Sequence, residues 1–426
     1  MRPLPLLVAA ALAVAGGLPA GARADAEVLI GGNVESLLDF ARAQHPEFAA
    51  LRLEAAAAEE RVAPAGALPD PMLRAELRDV TNAMNGGAPN LLPARVGGAK
   101  YTLTQTLPWF GKRDLRRAAA AADADAAAGR ARAGWLDLAT RIKQTYAQHH
   151  VHLHTLRLLG EDLDLLRRLG DIARTRYANG LAPQQDALRV LTERAQLHGE
   201  LAMFEGESAQ ASARMRSLLG RPPLHVKLRP PEQLRPVPPA AALDFVALET
   251  RLRANNPQLA QEAARSVAAD QERALAYRNR YPDVTLGIAP LQTRNRVAEW
   301  ELMFEVNIPL QQESRRAQER AAERMFEAAE LRRDAALNQA LAELGAALAG
   351  LDATRRVETL LTANVLPQAE VSLQAALAGY ETGKLDFAAV LDAQRQIRRA
   401  RLDLVKVRGD QQVRLAEVER LIGEEL

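Results

Sequence analysis

Two short stretches decide the fold: Arg176-Tyr-Ala-Asn-Gly-Leu181 and, 203 residues further on, Gly379-Tyr-Glu-Thr-Gly383. Each closes a long run rich in Ala, Leu and Arg, and each carries a glycine where a helix must stop and turn. Working outward, the same order of features occurs twice. His45-Pro46 is echoed by Asn256-Pro257, each placed inside a helical stretch. Pro69-Asp70 is echoed by Pro282-Asp283, each opening a strand, and Leu107-Pro108 by Ile308-Pro309, each closing one. Leu219-Gly220 is echoed by Ile422-Gly423. Five pairs in one order amount to an internal duplication.

Between Lys112 and Ala182 no proline interrupts 71 residues, which as one helix would run about 105 Å at roughly 1.5 Å per residue. Leu156, Leu159, Leu163, Leu166, Gly170, Ala173 and Tyr177 step by threes and fours, a heptad seam with room for a close partner helix. A second helix is expected from Pro183, at its first position, to Leu219-Gly220. Arg221-Pro-Pro, Arg229-Pro-Pro and Arg235-Pro-Val-Pro-Pro239 cannot continue it and read as a linker. The domains expected are therefore a signal peptide over 1–24, a first repeat over 25–220, a linker over 221–243 and a second repeat over 244–426.

The strand candidates alternate. Tyr101, Leu103 and Leu107 share one face against Thr102, Thr104 and Thr106. Trp300, Leu302, Phe304, Val306 and Ile308 oppose Glu301, Met303, Glu305 and Asn307. An antiparallel sheet on a soluble core would alternate in the same way. The glutamates on the polar face, and Trp300 at a strand end, favour a membrane barrel, which four strands cannot close without further chains. The first strand pair is longer than the second by a turn-rich stretch, Asn85-Gly-Gly-Ala-Pro-Asn90, expected as a surface loop.

Composition agrees with long helices and excludes several functions. Of 426 residues only 17 are aromatic, too few for the core of a compact enzyme of that length, and the apolar share is mostly Ala and Leu. The absence of cysteine removes disulfides, thiol nucleophiles, thiolate metal sites and a lipidated N-terminal cysteine. Lys and Arg number 55 against 53 Asp and Glu and are spread along the chain, which gives nucleic acid no basic patch to bind. No phosphate loop, G-x-S-x-G or H-E-x-x-H occurs, so no enzyme and no cofactor is expected. Arg2, the apolar run Leu4 to Val14 and Ala22-Arg-Ala24 form an export signal.

The duplicated strand–strand–long helix–helix order, Thr104-Gln-Thr-Leu-Pro-Trp-Phe-Gly-Lys-Arg113 and the two turn motifs together resemble the TolC family of outer-membrane efflux channels over nearly the whole mature chain. Leu68-Pro-Asp-Pro-Met72 with the Leu-Pro-Trp-Phe-Gly-Lys-Arg stretch looks more like its heavy-metal, CzcC-like branch than its drug-exporting branch. The resemblance implies a mainly α homotrimer in the outer membrane of a Gram-negative bacterium. Each chain would give four strands to a twelve-stranded β-barrel in lipid and its helices to an α-helical coiled-coil barrel in the periplasm. It implies a passive exit duct for heavy-metal cations, or alternatively for drugs and organic solutes, served by a periplasmic adaptor and an inner-membrane RND-type pump. A periplasmic adaptor or soluble helical scaffold is the competing class, and the duplication argues against it.

By the same resemblance the adaptor meets the helical tips, here Arg176, Tyr177, Gly180 and Leu181 with Tyr380, Gly383 and Lys384. The gate carboxylates fall on Asp186 and Asp392; a ring of three would narrow the pore and favour cations. Either aspartate is equally compatible with an ordinary solvated helix face. The family's second aspartate falls on Ala389 and its gate arginine on Leu385, leaving Lys384 or Arg176 to substitute. Four histidines crowd Gln148-His-His-Val-His-Leu-His154. His150 and His154 share a helix face and could touch a metal, although no Glu or Cys accompanies them locally and a polar helix face explains them as well. Met72 and Met84 are expected to be hairpin residues.

Overall fold

The computed structural model describes residues 28–83, 88–220, 226–293 and 296–426. The expected signal segment 1–24, Met84, the start of the Asn85 loop and the Arg221-Pro-Pro opening of the linker lie outside the described residues. Of the described residues 71% are helical. The first repeat runs α1 (Val34–Gln44), α2 (Pro46–Glu60), α3 (Val62–Ala65), β2 (Met72–Arg78), β3 (Gly98–Leu107), α4 (Lys112–Ala178) and α5 (Gln184–Leu218). The second runs α6 (Phe245–Asn255), α7 (Pro257–Arg278), β5 (Val284–Thr293), β6 (Arg296–Val306), α8 (Gln312–Leu360), a π turn (Leu361–Val365), α9 (Leu366–Glu381) and α10 (Phe387–Ile422). Two short strands, β1 (Val28–Ile30) and β4 (Val226–Leu228), pair in parallel at the waist.

Several boundaries differ from the expectations. The first long helix stops at Ala178, and Pro183 caps α5 from outside with extended backbone instead of occupying its first turn. The proline-rich segment is more than a linker: it holds β4 and a short turn of 3-10 helix, Ala240–Leu243. His45-Pro46 and Asn256-Pro257 do not lie inside helices. A proline disfavours helical backbone in the residue before it, so α1 and α6 end there, and His45 and Asn256 then cap α2 and α7 through their side chains.

This junction explains why two of the repeated motifs occur together. Gly220 and Gly423 have φ of +73° and +74° and press on the junctions of their own copies. A β-carbon on Gly220 would overlap Pro46 and stand 3.0 Å from the His45 Cα, and one on Gly423 would overlap the Asn255 carbonyl. Asn256 Nδ2 also donates to the Leu421 carbonyl at 2.8 Å. The echoes His45-Pro46 with Leu219-Gly220, and Asn256-Pro257 with Ile422-Gly423, are thus one packing contact made twice.

Three apolar clusters hold the helices. One joins α1 and α2 to the middle of α4 and the end of α5, around Leu37, Ile142 and Leu219. Its counterpart joins α6 to α8 and α10, around Leu252, Leu344 and Ile422. The third lies near the tips, where the heptad seam is buried in alternation: Leu159, Leu166 and Ala173 are fully enclosed by α5, α9 and α10.

The four long strands form one antiparallel sheet in the order β2-β3-β5-β6. Register places Leu73, Leu103, Ile288 and Leu302 in one row and Arg74, Thr102, Ala289 and Glu301 in the next, so the faces are segregated. The apolar face is the bare one: Leu302 is 86% and Phe304 69% exposed. Trp300 is the fifth residue of β6, away from its end, and Ile308 falls just beyond the strand. Among the described residues no helix is long and apolar enough to cross a membrane.

Candidate functional site

The polar face of the sheet carries Arg74, Glu76, Arg78, Lys100, Thr102, Thr104, Thr106, Thr285, Glu299, Glu301 and Glu305. Lys100 pairs with Glu301 across β5, and the Thr106 and Thr285 hydroxyls meet at 3.0 Å. Below the sheet, the Leu-Pro-Trp-Phe-Gly-Lys-Arg stretch locks strand to helix. Trp109 stacks on Tyr281 with centroids 5.4 Å apart and planes 7° from parallel. The buried Lys112 ammonium donates to Asp283 Oδ1 at 2.8 Å and to the Tyr281 carbonyl at 2.9 Å, and the Trp109 amide donates to the same Oδ1. The motif read as a family signature is a rigid joint between sheet and long helices.

At the far end the two tips turn through Gly180 and Gly383, with φ of +69° and +73°. They are not equivalent. Tyr177 is half exposed, whereas Tyr380 is buried edge-on against Phe387, with centroids 5.1 Å apart. Arg176 crosses from the first tip to the second: Nη1 donates to the Glu381 carbonyl at 3.0 Å and the guanidinium lies 4.7 Å from the Tyr380 ring centroid. Lys384 and Leu181 are exposed, Leu181 at 66%.

Asp186 and Asp392 part company as well. Asp186, in the first turn of α5, is 6% exposed. Burial raises its carboxyl above the usual range, against the lowering pull of Arg189, and the nearby Asp386 charge raises it further. The Tyr380 hydroxyl is buried beside it and is itself pushed up by burial and by the Asp186 charge. Asp392 stands in solvent on α10, 3.5 Å from Arg395 of its own helix. Asp386 instead caps α10 by accepting from the Ala389 amide at 3.1 Å.

The sequence reading missed the charged centre of this end. Glu193 on α5 is 2% exposed and takes Arg395 at 2.5 Å and Arg398 at 3.2 Å, both from α10. Hydrogen bonds from Arg395 hold its carboxyl below the usual range despite burial. Asp162 on α4 faces Arg398 and Arg401 of α10, and burial raises its carboxyl against their pull. Partners some two hundred residues apart leave no local pattern to find.

The histidines do not converge on one point. His149 is buried near Arg216 of α5, and His152 stands 3.2 Å from Glu207 of α5, off the line of a hydrogen bond. A carboxylate therefore does accompany the cluster, supplied by another helix. His150 and His154 stack with centroids 4.4 Å apart. Burial first, then the neighbouring His154 and Arg157 charges, push His150 down to about 4. Burial, Arg157 and Arg408 lower His154. Among the described residues no group of three or more His, Asp or Glu is placed to hold a metal ion.

Comparison with known proteins agrees with this architecture. The family model described as outer membrane efflux protein matches residues 37–221 and, separately, 248–424. The solved outer-membrane channel OprN superposes with a TM-score of 0.79 over 92% of this chain and 89% of its own, at 17% identity. CusC, whose structures concern folding and transmembrane channel formation, matches with a TM-score of 0.77 over 93% and 94%, at 19% identity. The outer membrane protein VceC from Vibrio cholerae matches with 0.77 over 92% and 96%, at 18% identity. At such identities these likenesses speak for the fold. Among curated proteins none matches.

Proposed function

The chain belongs to the outer membrane efflux protein family, and from that premise we propose that three copies form a passive exit duct carrying heavy-metal cations out through the outer membrane. The observation that carries this reading is the four-stranded sheet, apolar and bare on one face and charged on the other, with β2 and β6 as unpaired edges. In lipid every strand edge must find a partner. Pairing β6 of one copy with β2 of the next closes a twelve-stranded barrel around the polar face, with Leu302 and Phe304 toward lipid.

The long hairpins continue the wall into the periplasm. A periplasmic adaptor docks at the exposed tip residues, and an inner-membrane RND-type pump supplies the energy; the duct itself catalyses nothing. Cation cargo is supported by the heavy-metal-branch resemblance of Leu68-Pro-Asp-Pro-Met72 and by carboxylates at the tips, which in triplicate focus a negative field along the axis; on the polar strand face Glu299, Glu301 and Glu305 are matched by Arg74, Arg78 and Lys100. Deletion of the chain followed by tolerance tests against copper, zinc, cobalt, cadmium and lipophilic drugs examines the cargo. A fall in metal tolerance alone is expected, and a fall in drug tolerance alone would assign organic solutes instead. Recovery of the protein in the soluble periplasmic fraction would sink the duct reading itself.

A further inference from the structure

The proline-rich segment crosses the waist as a strap, and the histidine-rich turn of α4 lies against it. The Tyr146 hydroxyl donates to the Gly32 carbonyl at 2.8 Å and to the Gln233 carbonyl of the strap at 3.0 Å. Gln412 of α10 donates to the Arg235 carbonyl at 2.7 Å. His150 stands one turn beyond Tyr146, beside the Glu232 carbonyl. It is stacked on His154, with centroids 4.4 Å apart and planes 29° from parallel. Its Nδ1 is buried and meets no partner. Beside it on α4, Val151 marks a close crossing with α10: a β-carbon on Gly409 would overlap its side chain. The stacked pair thus sits where α4, α10 and the strap converge.

The charges that act on the pair are positive. Arg157 and His149 come from α4 itself and Arg408 from α10. Arg408 is answered by Glu358 of α8 at 2.8 Å. The strap offers its Glu232 carbonyl, while the Glu232 carboxylate lies beside Gly32. Glu207 of α5 stands by His152. Two neutral imidazoles can stack in such a setting. Imidazolium rings cannot, because each repels the other and both guanidiniums repel them.

We infer that the His150–His154 pair is an acid-release catch for the strap. While neutral, the stacked rings let α4, α10 and the strap close on one another; once protonated, they push apart and free the strap from α4. A pair that is neutral when packed, and takes protons in the ordinary imidazole range when released, binds more protons in the released state. Packing is therefore fully stable above that range and weakens as pH falls through it. The duplication supplies an internal control, since α8, the counterpart of α4, contains no histidine. The inference stands whether or not the chain is a duct.

The test is backbone amide exchange of the full chain in detergent, read by mass spectrometry at pH 7 and pH 5 and corrected for intrinsic exchange. The Glu419 carboxylate, held low by Arg235 and Lys143, keeps its charge across that window. Peptides covering residues 143–156 and 229–239 should exchange about tenfold faster at pH 5, and those of α8 should not. The double variant H150Q/H154Q should lose the acid effect, whereas H198Q, at an exposed position on α5, should keep it. R408Q, which removes one repelling charge and leaves both rings in place, should shrink it. No acid effect in the parent, an equal effect in α8, or an effect that survives the double substitution would overturn the inference. Should the double variant fail to fold, an undiminished acid effect in R408Q would overturn it as well.

Discussion

Arg235 grips the Glu419 carboxylate with both terminal nitrogens, at 2.8 and 3.0 Å, and so fastens the proline-rich segment to the last long helix. Lys143 of α4 reaches the same carboxylate at 2.9 Å. Glu419 is 3% exposed; burial alone would raise its carboxyl, but Arg235 and Lys143 outweigh it and hold the group low. A carboxylate depressed in the folded state stabilises above its unfolded value and loses that contribution as pH falls through the folded one. Glu419→Gln leaves Arg235 without its counter-charge and Lys143 with Glu425 alone, at 2.9 Å, and is expected to cost about 3 kcal/mol. Melting followed by circular dichroism should show a lowered midpoint near neutrality. The gap from the parent should narrow under acid conditions.

The glycines that look alike in sequence should separate in a stability assay. Gly220→Ala and Gly423→Ala combine positive φ with a collision against the helix junction, whereas Gly180→Ala meets nothing within 4 Å. The tip variant should cost only the left-handed penalty of about 1 kcal/mol, and the two waist variants clearly more. Equal losses at all three positions would contradict the packing described.

The tip predicts a pH response opposite in sign to that of Glu419. Because burial raises the Asp186 carboxyl, the packed tip takes up a proton more readily than a loosened one, so acid favours the packed arrangement. Conductance in planar bilayers should fall as pH drops through the acidic range. Asp186→Asn should abolish that dependence, while Asp392→Asn, altering an exposed group, should leave it in place. Arg176→Gln, which removes the bridge to Glu381 and Tyr380, should raise basal conductance at every pH.

The two faces of the sheet should tolerate charge very differently. Leu302→Arg or Phe304→Arg puts a cation on the bare apolar face, at about 2–4 kcal/mol near a bilayer midplane. The yield of heat-resistant oligomer in the outer-membrane fraction should fall sharply. Thr104→Arg, on the polar face, should assemble normally.

Much of this was legible because the fold repeats itself. The strand alternation, the long helices and the tip glycines each carry a period or a stop signal, and each appears twice. What escaped lacked such a local signature. The three-residue strand β4 sits among prolines and pairs with a segment near the N-terminus. Glu419, Arg235 and Lys143 meet across three elements. Tyr177 and Tyr380 occupy equal places in the repeat, and only the packing around them makes one a surface ring and the other a buried one. The same applies to Arg42 and Arg253, identical in the repeat and opposite in whether a carboxylate answers them.

The π turn at Leu361–Val365 preserves a trace of how the two halves diverged. From Pro108 to Tyr177 the first copy has two residues fewer than the second has from Pro309 to Tyr380, yet both helices reach the tip. A wide turn absorbs one of the two extra residues as a local bulge, which spares the helix beyond it a rotation of about 100°. The second long helix thus works like a calendar with a leap day, taking up one surplus residue at a single point instead of passing its full shift on to every later position.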